Sequence, residues 1–324
     1  MNKRLVKREL ANLKMLIDIA KTQGVNVFFW SFADGLCRRL HVDNLYHRTH
    51  YYRHEACKAY LKKNYAHVID KYRNSNFEEI GKIGADSTIW RYWQQGMTNV
   101  PYPVDITLNS IVNKTGNHPV KVLDATSYKE YIDVPEYIEK KARNGQMNIA
   151  VFSDYIRLAL LKQHGGVWLD STFYVNRDFP SEIDVMPFYT VNQGNKRNWV
   201  VTRDRWSVCL LACAPNNPLI SFCEEFLREY WKNETTPIAY LMTDCIIGIA
   251  YDEIPAFRKM IDSVPVNNTH CFDFLTEFRN EAYDEAKQNE MNKDTYVYQL
   301  SYKLSWSKKT ANGKLSNFGG LVSE

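Results

Sequence analysis

The 324-residue chain has no apolar run long enough to cross a membrane. Its most apolar early stretch, Val25 to Phe32, breaks at Ala33-Asp34-Gly35, well short of the roughly twenty residues that a spanning helix needs. Basic residues open the chain, but no apolar segment with a small-residue cleavage site follows, so no secretory signal is expected. Seven cysteines lie scattered from Cys37 to Cys271, an odd number without the density of a disulfide framework, which favours a reducing compartment. Cys209, Cys213 and Cys223 are too irregularly spaced for a zinc ribbon, and His54-Glu55-Ala56-Cys57-Lys58 lacks the second histidine of a zinc-protease helix. Gly-x-Gly-x-x-Gly, Gly-x-x-x-x-Gly-Lys-Ser/Thr and Gly-x-Ser-x-Gly are all missing, which removes support for dinucleotide redox chemistry, P-loop hydrolysis and a serine elbow. Internal repeats and low-complexity segments are absent as well.

What is there is globular: 45% hydrophobic residues over this length can bury a large core. The net charge of +4 hides an asymmetry, because residues 1–80 hold 15 Lys/Arg against 8 Asp/Glu, leaving 26 against 29 for the remainder. The basic character is local to the N-terminal quarter. There, residues 3–22 carry leucine and isoleucine at helical spacing between cations, which suits a docking helix or a peripheral contact with anionic lipid. A second helical stretch, 45–73, is rich in Tyr, His, Lys and Arg. His47, His50 and His54 share one of its faces, expected to be solvated, anion-facing or sugar-facing.

From Gly81 onward short strands and helices alternate, the pattern of a mostly parallel sheet. Strands are predicted at Thr88–Trp93, Val120–Asp124, Val167–Leu169, Pro187–Val191, Trp199–Thr202, Val208–Ala212 and along Thr295–Trp306. Helices are predicted at Pro103–Asn113, Pro135–Arg143, Pro218–Trp231 and around 237–250, 254–262 and 271–290. The expected organisation is a basic helical region, 1–80, followed by an α/β domain, 81–324.

The densest chemistry lies in Ser153 to Thr172. Asp154 and Arg157 fall three apart on one face of an apolar helix, which Gly165-Gly166 should end because glycine accepts a left-handed cap without steric cost. The short strand Val167-Trp168-Leu169 then delivers Asp170 to the rim of the sheet, where open α/β sheets bind ligands. Two acids and one base can converge on one crevice.

Ile89-Trp90-Arg91-Tyr92-Trp93-Gln94-Gln95-Gly96, Phe152-Ser153-Asp154-Tyr155-Ile156-Arg157 and Gly165-Gly166-Val167-Trp168-Leu169-Asp170, in that order, resemble the capsular polysaccharide synthesis glycosyltransferases. These are related to the wider DXD sugar-binding glycosyltransferases, which include mannosyltransferases and large glucosylating toxins. The resemblance covers about residues 83–215, with an echo at Tyr302-Lys303-Leu304-Ser305-Trp306. It implies a GT-A-like fold: a mixed sheet flanked by helices, Rossmann-like in binding a nucleotide sugar. It also implies transfer of a hexose with retention of configuration.

Carried over by position, Trp90 would stack on the base, and Asp154, Arg157 and Asp170 would form the catalytic centre. Ser153, Trp168 and Thr172 would add to the donor site, and Lys303 and Trp306 would close over the diphosphate. Asp170 would be the metal ligand for Mn²⁺ or Mg²⁺. The chain departs from the DXD pattern at Asp170-Ser171-Thr172, where threonine replaces the second acid and removes one anionic oxygen ligand.

The expected partners are a nucleotide-sugar donor and a glycan or lipid-linked polysaccharide acceptor, not nucleic acid. The expected location is cytoplasmic, or peripheral on the inner face of the membrane. Rival readings are a non-catalytic glycan- or nucleotide-binding protein with a degenerate DXD element, a sugar-phosphate transferase and a glycoside hydrolase.

Overall fold

A computed structural model describes residues 3–75 and 80–323, with side chains from residue 13 onward. Four helices come first: α1 Lys3–Thr22, α2 Val25–Arg39, α3 Asp43–Asn64 and α4 Ala66–Arg73. The α/β part then runs β1 Ile89–Tyr92, α5 Val104–Asn109, β2 Val120–Leu123, α6 Glu136–Arg143, α7 Ile149–His164, β3 Gly166–Leu169 and β4 Phe173–Val175. It continues with β5 Phe188–Thr190, β6 Leu210–Cys213, α8 Pro218–Asn233, α9 Met242–Glu253, α10 Pro255–Asp262, α11 Glu285–Met291, β7 Val297–Gln299 and α12 Asn317–Leu321.

The main sheet has the order β2-β1-β3-β6-β5. Its β2-β1-β3 half is parallel, while β6 runs antiparallel to both β3 and β5. The sheet is mixed, as the resemblance implied, and not the mostly parallel one that the alternation of elements predicted, because β6 pairs antiparallel with both of its neighbours. A separate two-stranded ribbon joins β4 to β7. All four residues of β1, of β3 and of β6 are buried, as expected where helices cover both faces of a sheet. One hydrophobic core extends from Ile19 and Val27 in the helical region through the sheet to Tyr296 and Val297, so the basic helices and the α/β part share an interior.

Helix α7 starts at Asn148, whose side chain accepts from the Val151 amide, and it is apolar nearly all round because it is buried nearly all round. Two glycines stop it and turn the chain into β3. Gly165 has φ 64° and ψ −155°, a region open essentially to glycine, and a Cβ there would lie 2.5 Å from the Pro215 nitrogen. At Gly166, φ +94°, a Cβ would lie 2.2 Å from the Thr88 carbonyl oxygen. The pair thus permits a close backbone approach as well as a turn.

Several expectations are corrected. Trp199–Thr202 is not a strand: the segment is folded into turns closed by Arg197, which makes a two-pronged pair with Asp204, and by Gln193 N–H donating to the Asp204 carbonyl. Residues 271–290 are not one helix but two short 3₁₀ turns, Asp273–Leu275 and Glu277–Asn280, followed by α11. The tail strand contracts to Val297–Gln299, where β4 supplies its partner.

Helix α2 continues past the end of the apolar run at Ala33-Asp34-Gly35, because Asp34 is satisfied inside the layer. It takes bonds of 2.7 Å from Arg38 and 2.8 Å from Arg53 and sits 3.1 Å from His50 Nδ1. Burial works against that carboxylate, but the His50 bond and the Arg53 and Arg38 charges hold its pKa well below the usual range. The histidine face of α3 is accordingly not a solvated one. His54 is buried, and burial, together with His50 and Arg53, lowers its pKa to about 3. His47 stacks on Trp199 at 4.1 Å between ring centroids. No described helix is long and apolar enough to span a membrane.

Candidate active site

The parallel strands β1 and β3 end side by side, and a cavity of about 560 Å³ opens beyond them. Its wall takes Tyr92 and Trp93 from the end of β1, Asp154 and Arg157 from α7, and Asp170 to Thr172 from the end of β3. This is the crevice beyond the carboxyl ends of strands that the fold makes available to ligands.

Arg157 is the centre of the polar floor. Its Nη2 donates to Asp170 Oδ1 at 2.8 Å, and its Nη1 lies 2.9 Å from Asp154 Oδ1. The second contact is an ion pair without hydrogen-bond alignment, so Nη1 and Nε of this buried guanidinium keep unfilled donor capacity. Burial disfavours the charge on Arg157, but Asp170 and Asp154 more than offset it and raise its pKa. Thr243 holds the other carboxylate oxygen of Asp154 at 3.0 Å.

Asp170 is fixed from several directions. Trp168 Nε1 donates to Oδ1 at 2.7 Å, and the Arg157 guanidinium lies 4.9 Å from the centre of the Trp168 ring. The Asp170 amide donates to the Cys209 carbonyl on the neighbouring strand's approach. From below, fully buried Arg91 donates to three carbonyls: Thr107 at 2.8 Å, Asp170 at 3.1 Å and Phe173 at 2.8 Å. Burial lowers the Arg91 pKa to about 9, against the pull of Asp170, which leaves it charged near neutrality. Ser171 Oγ donates to the Tyr92 carbonyl at 2.9 Å, tying the loop to β1.

The residues expected from the motifs are therefore only partly assembled. Ser153, Asp154, Arg157, Asp170 and Thr172 line one cavity. Trp168 sits behind it as a support for Asp170. Trp90 is buried on β1 beside Trp168 and donates Nε1 to the Gly165 carbonyl at 2.9 Å, so its ring packs against the helix stop and does not line the cavity. Trp93 and Tyr302 do line it, in edge contact at 5.7 Å. Lys303 is exposed next to Tyr302, while Trp306 turns away, donates to the Ser301 carbonyl at 2.7 Å and packs on Phe318.

Two residues were given no role by the motifs. Asp244 on α9 is buried in the cavity wall, where Trp206 Nε1 donates to it at 3.1 Å. Burial and the nearby Asp154 raise its pKa to about 7, against the pull of Arg157. Nothing in its local sequence announces it, since α9 reads as an apolar helix. The second is Arg91, legible in the first motif as a charge on a buried strand, which has to find acceptors there.

Four carboxylates, Asp154, Asp170, Asp204 and Asp244, face two guanidiniums, Arg157 and Arg197, in the wall. Among the described residues no group of three or more His, Cys, Asp or Glu is arranged to hold a metal ion. A divalent ion fits here only as one shared between Asp170 and oxygens brought by a ligand, since Mg²⁺ commonly combines one or two carboxylates with phosphate oxygens.

Residues 39–317 match the family described as capsular polysaccharide synthesis protein. Over 104 residues the chain is 29% identical to the O-glycosyltransferase braB of Annulohypoxylon truncatum, a stretch amounting to 29% of this chain and 25% of that one. The match thus spans a quarter of that relative's length. A solved structure, the PaToxG glycosyltransferase, is similar with a TM-score of 0.38 and 15% identity, over 76% of this chain and 99% of that one. A likeness at that level leaves the site to be argued from its own geometry.

Proposed function

The chain belongs to the capsular polysaccharide synthesis family, and from that premise we propose that it is a glycosyltransferase, moving a hexose from a nucleotide diphosphate sugar to a polysaccharide or related glycan acceptor. The carrying observation is Arg157, buried between Asp154 and Asp170 in the wall of the cavity with N–H groups still unfilled. Such a group can donate to sugar hydroxyls while the flanking carboxylates accept from them, the pairing that polyhydroxylated ligands need.

In this reading Asp154 and Arg157 hold the donor sugar, and Trp93 with Tyr302 supplies the aromatic wall for the base, the role first expected of Trp90. Asp170 would hold a shared Mn²⁺ or Mg²⁺, whose chemistry is to neutralise charge on the departing diphosphate. The excess of carboxylates in the wall supports that assignment, because a diphosphate needs a compensating cation. Lys303, exposed and 5.7 Å from the ring centre of the cavity-lining Tyr302, would add to it. The acceptor would enter from the side of Arg197 and Tyr240, which line the cavity, with the retention of configuration that the resemblance of the motifs implies.

The test is a panel of nucleotide sugars incubated with and without Mn²⁺ or Mg²⁺, with the released nucleotide identified. Release of nucleoside diphosphate together with transfer supports the proposal. Release of a monophosphate would indicate sugar-phosphate transfer, and donor binding without release would indicate a non-catalytic protein; either result overturns it.

A further inference from the structure

Six aromatic side chains line the cavity, and five of them are committed to the protein. Trp93 meets Tyr302 edge-on at 5.7 Å between ring centroids, Tyr92 meets Tyr128 at 6.5 Å, and Phe272 meets Phe173 at 6.4 Å. Trp206 meets Tyr251 at 6.1 Å and donates to Asp244. The sixth, Tyr240, has no ring contact, no cation over its face and no hydrogen bond to its hydroxyl among the described residues. Its side chain is 68% exposed, although Ile238, Ala239 and Met242 around it in the chain are buried. The segment is thus anchored while its one large ring stays open. A single exposed tyrosine on a convex surface needs no explanation, but an uncommitted ring in the wall of a cavity is a contact waiting for a ligand.

The surroundings of Tyr240 select what it can meet. Thr243 and Asp244 follow it at the start of α9; the first donates to Asp154 at 3.0 Å, and the second stands in the cavity wall. The ring's position is therefore tied to the acids that flank Arg157. Burial of the hydroxyl end raises the Tyr240 pKa, and Cys209, Asp154 and Asp170 add to this against the pull of Arg157. The phenol end thus lies in the field of the site's acids and keeps its proton, while the ring face is open. A pyranose offers the complement, with a face of C–H groups for the ring and hydroxyls at its edge for carboxylates. A bare phosphate would instead meet four carboxylates and two guanidiniums that are already paired with acids. A serine or threonine side chain brings a hydroxyl without an apolar face to cover the ring.

We infer that Tyr240 is the platform on which the receiving sugar stacks, so that the acceptor is a glycoside presented as a pyranose ring and not an amino-acid hydroxyl or a bare phosphate. The inference rests on the proposed glycosyl transfer, in which Trp93 with Tyr302 takes the base and Asp154 with Arg157 takes the donor sugar. Tyr240 touches neither Trp93 nor Tyr302 and forms a second aromatic position on the same cavity. It sets how tightly the acceptor is held, and no bond is made or broken at the tyrosine itself.

Steady-state kinetics of the full chain tests it, with a donor that releases nucleoside diphosphate. The acceptors are methyl glycosides of glucose, galactose, mannose and N-acetylglucosamine, beside N-acetylserinamide and N-acetyltyrosinamide. Expected is transfer to at least one glycoside and to neither amide. Tyr240→Ala should raise the KM for that glycoside about tenfold more than it changes the donor KM, and Tyr240→Phe, which keeps the ring, should stay within about threefold of wild type. Because the ring is exposed, the alanine variant should keep the wild-type melting temperature. Transfer to an amide but to no glycoside, or to no acceptor at all while nucleoside diphosphate is still released, overturns the inference and leaves donor turnover standing. So does an unchanged acceptor KM in Tyr240→Ala, an equal rise in both KM values, or a phenylalanine variant as impaired as the alanine one. Absence of nucleoside diphosphate release from every donor defeats the proposed function itself, and this inference with it.

Discussion

Arg91 reaches Asp170 through its backbone, not its carboxylate: Nη2 donates to the Asp170 carbonyl oxygen at 3.1 Å. The same guanidinium holds Phe173 and Thr107, so one buried cation fixes the acidic loop from beneath and leaves the Asp170 side chain to Arg157, Trp168 and the cavity. Replacing Arg91 by Met should strand three carbonyls in the interior. We expect a stability loss of roughly 3 kcal/mol or more, and weaker donor binding even at temperatures where the variant is folded. Thermal denaturation and donor titration check the two parts; an unchanged melting temperature would remove Arg91 from its supporting role.

Asp170→Asn keeps the shape and the two incoming hydrogen bonds but removes the charge. Turnover should fall by about a thousandfold or more while the circular dichroism spectrum is kept. A variant with near wild-type transfer would sink the catalytic assignment.

Thr172→Asp tests the missing acid from the other side. Adding an oxygen ligand beside Asp170 should tighten Mn²⁺ binding about tenfold, read by the metal concentration that half-saturates turnover. No change in that concentration would place the metal away from Thr172.

Asp244 predicts a pH dependence. Its pKa is raised from 3.8 to about 7 in the folded protein, so between those values the folded state binds a proton that the unfolded state has released. The stabilisation is therefore fully present below about pH 4 and is lost as pH rises through about 7, amounting to roughly 4 kcal/mol at most. The melting temperature of the wild type should fall between pH 5 and pH 8 by an amount that Asp244→Asn lacks. Equal slopes for the two proteins would show that Asp244 is not protonated in the folded state.

Gly166→Ala places a Cβ 2.2 Å from the Thr88 oxygen in a backbone region unfavourable to alanine. A loss of about 3 kcal/mol or more is expected, with β3 and the Asp170 loop displaced together. Chemical denaturation measures it, and wild-type stability would mean the approach of β1 to β3 is looser than described.

The legible parts of the fold were those set by neighbours in sequence. The apolar helix, the double glycine and the buried strand of 149–169 follow from period, steric freedom and hydrophobicity, and they bring Asp154, Arg157 and Asp170 to one place. Trp90 could be assigned to a strand but not to a side of it, because its environment depends on the register with Trp168 and on the helix end packed above. Trp199–Thr202 looks like a strand by composition, yet the Arg197–Asp204 pair folds it into turns, a constraint invisible in a short window. Asp244 enters the cavity through the packing of α9, a contact no local spacing encodes.

The imbalance of four acids and two guanidiniums in the cavity wall has a consequence for donor choice. A sugar that carries its own carboxylate would add like charge beside Asp154 and Asp170, whereas a neutral hexose would not. We predict that the protein discriminates against hexuronate donors in competition with neutral hexose donors of the same nucleotide, and that turnover of an equimolar mixture, resolved by the identity of the transferred sugar, will favour the neutral one. Preference for the uronate would mean that a cation from outside the described wall commands the sugar site.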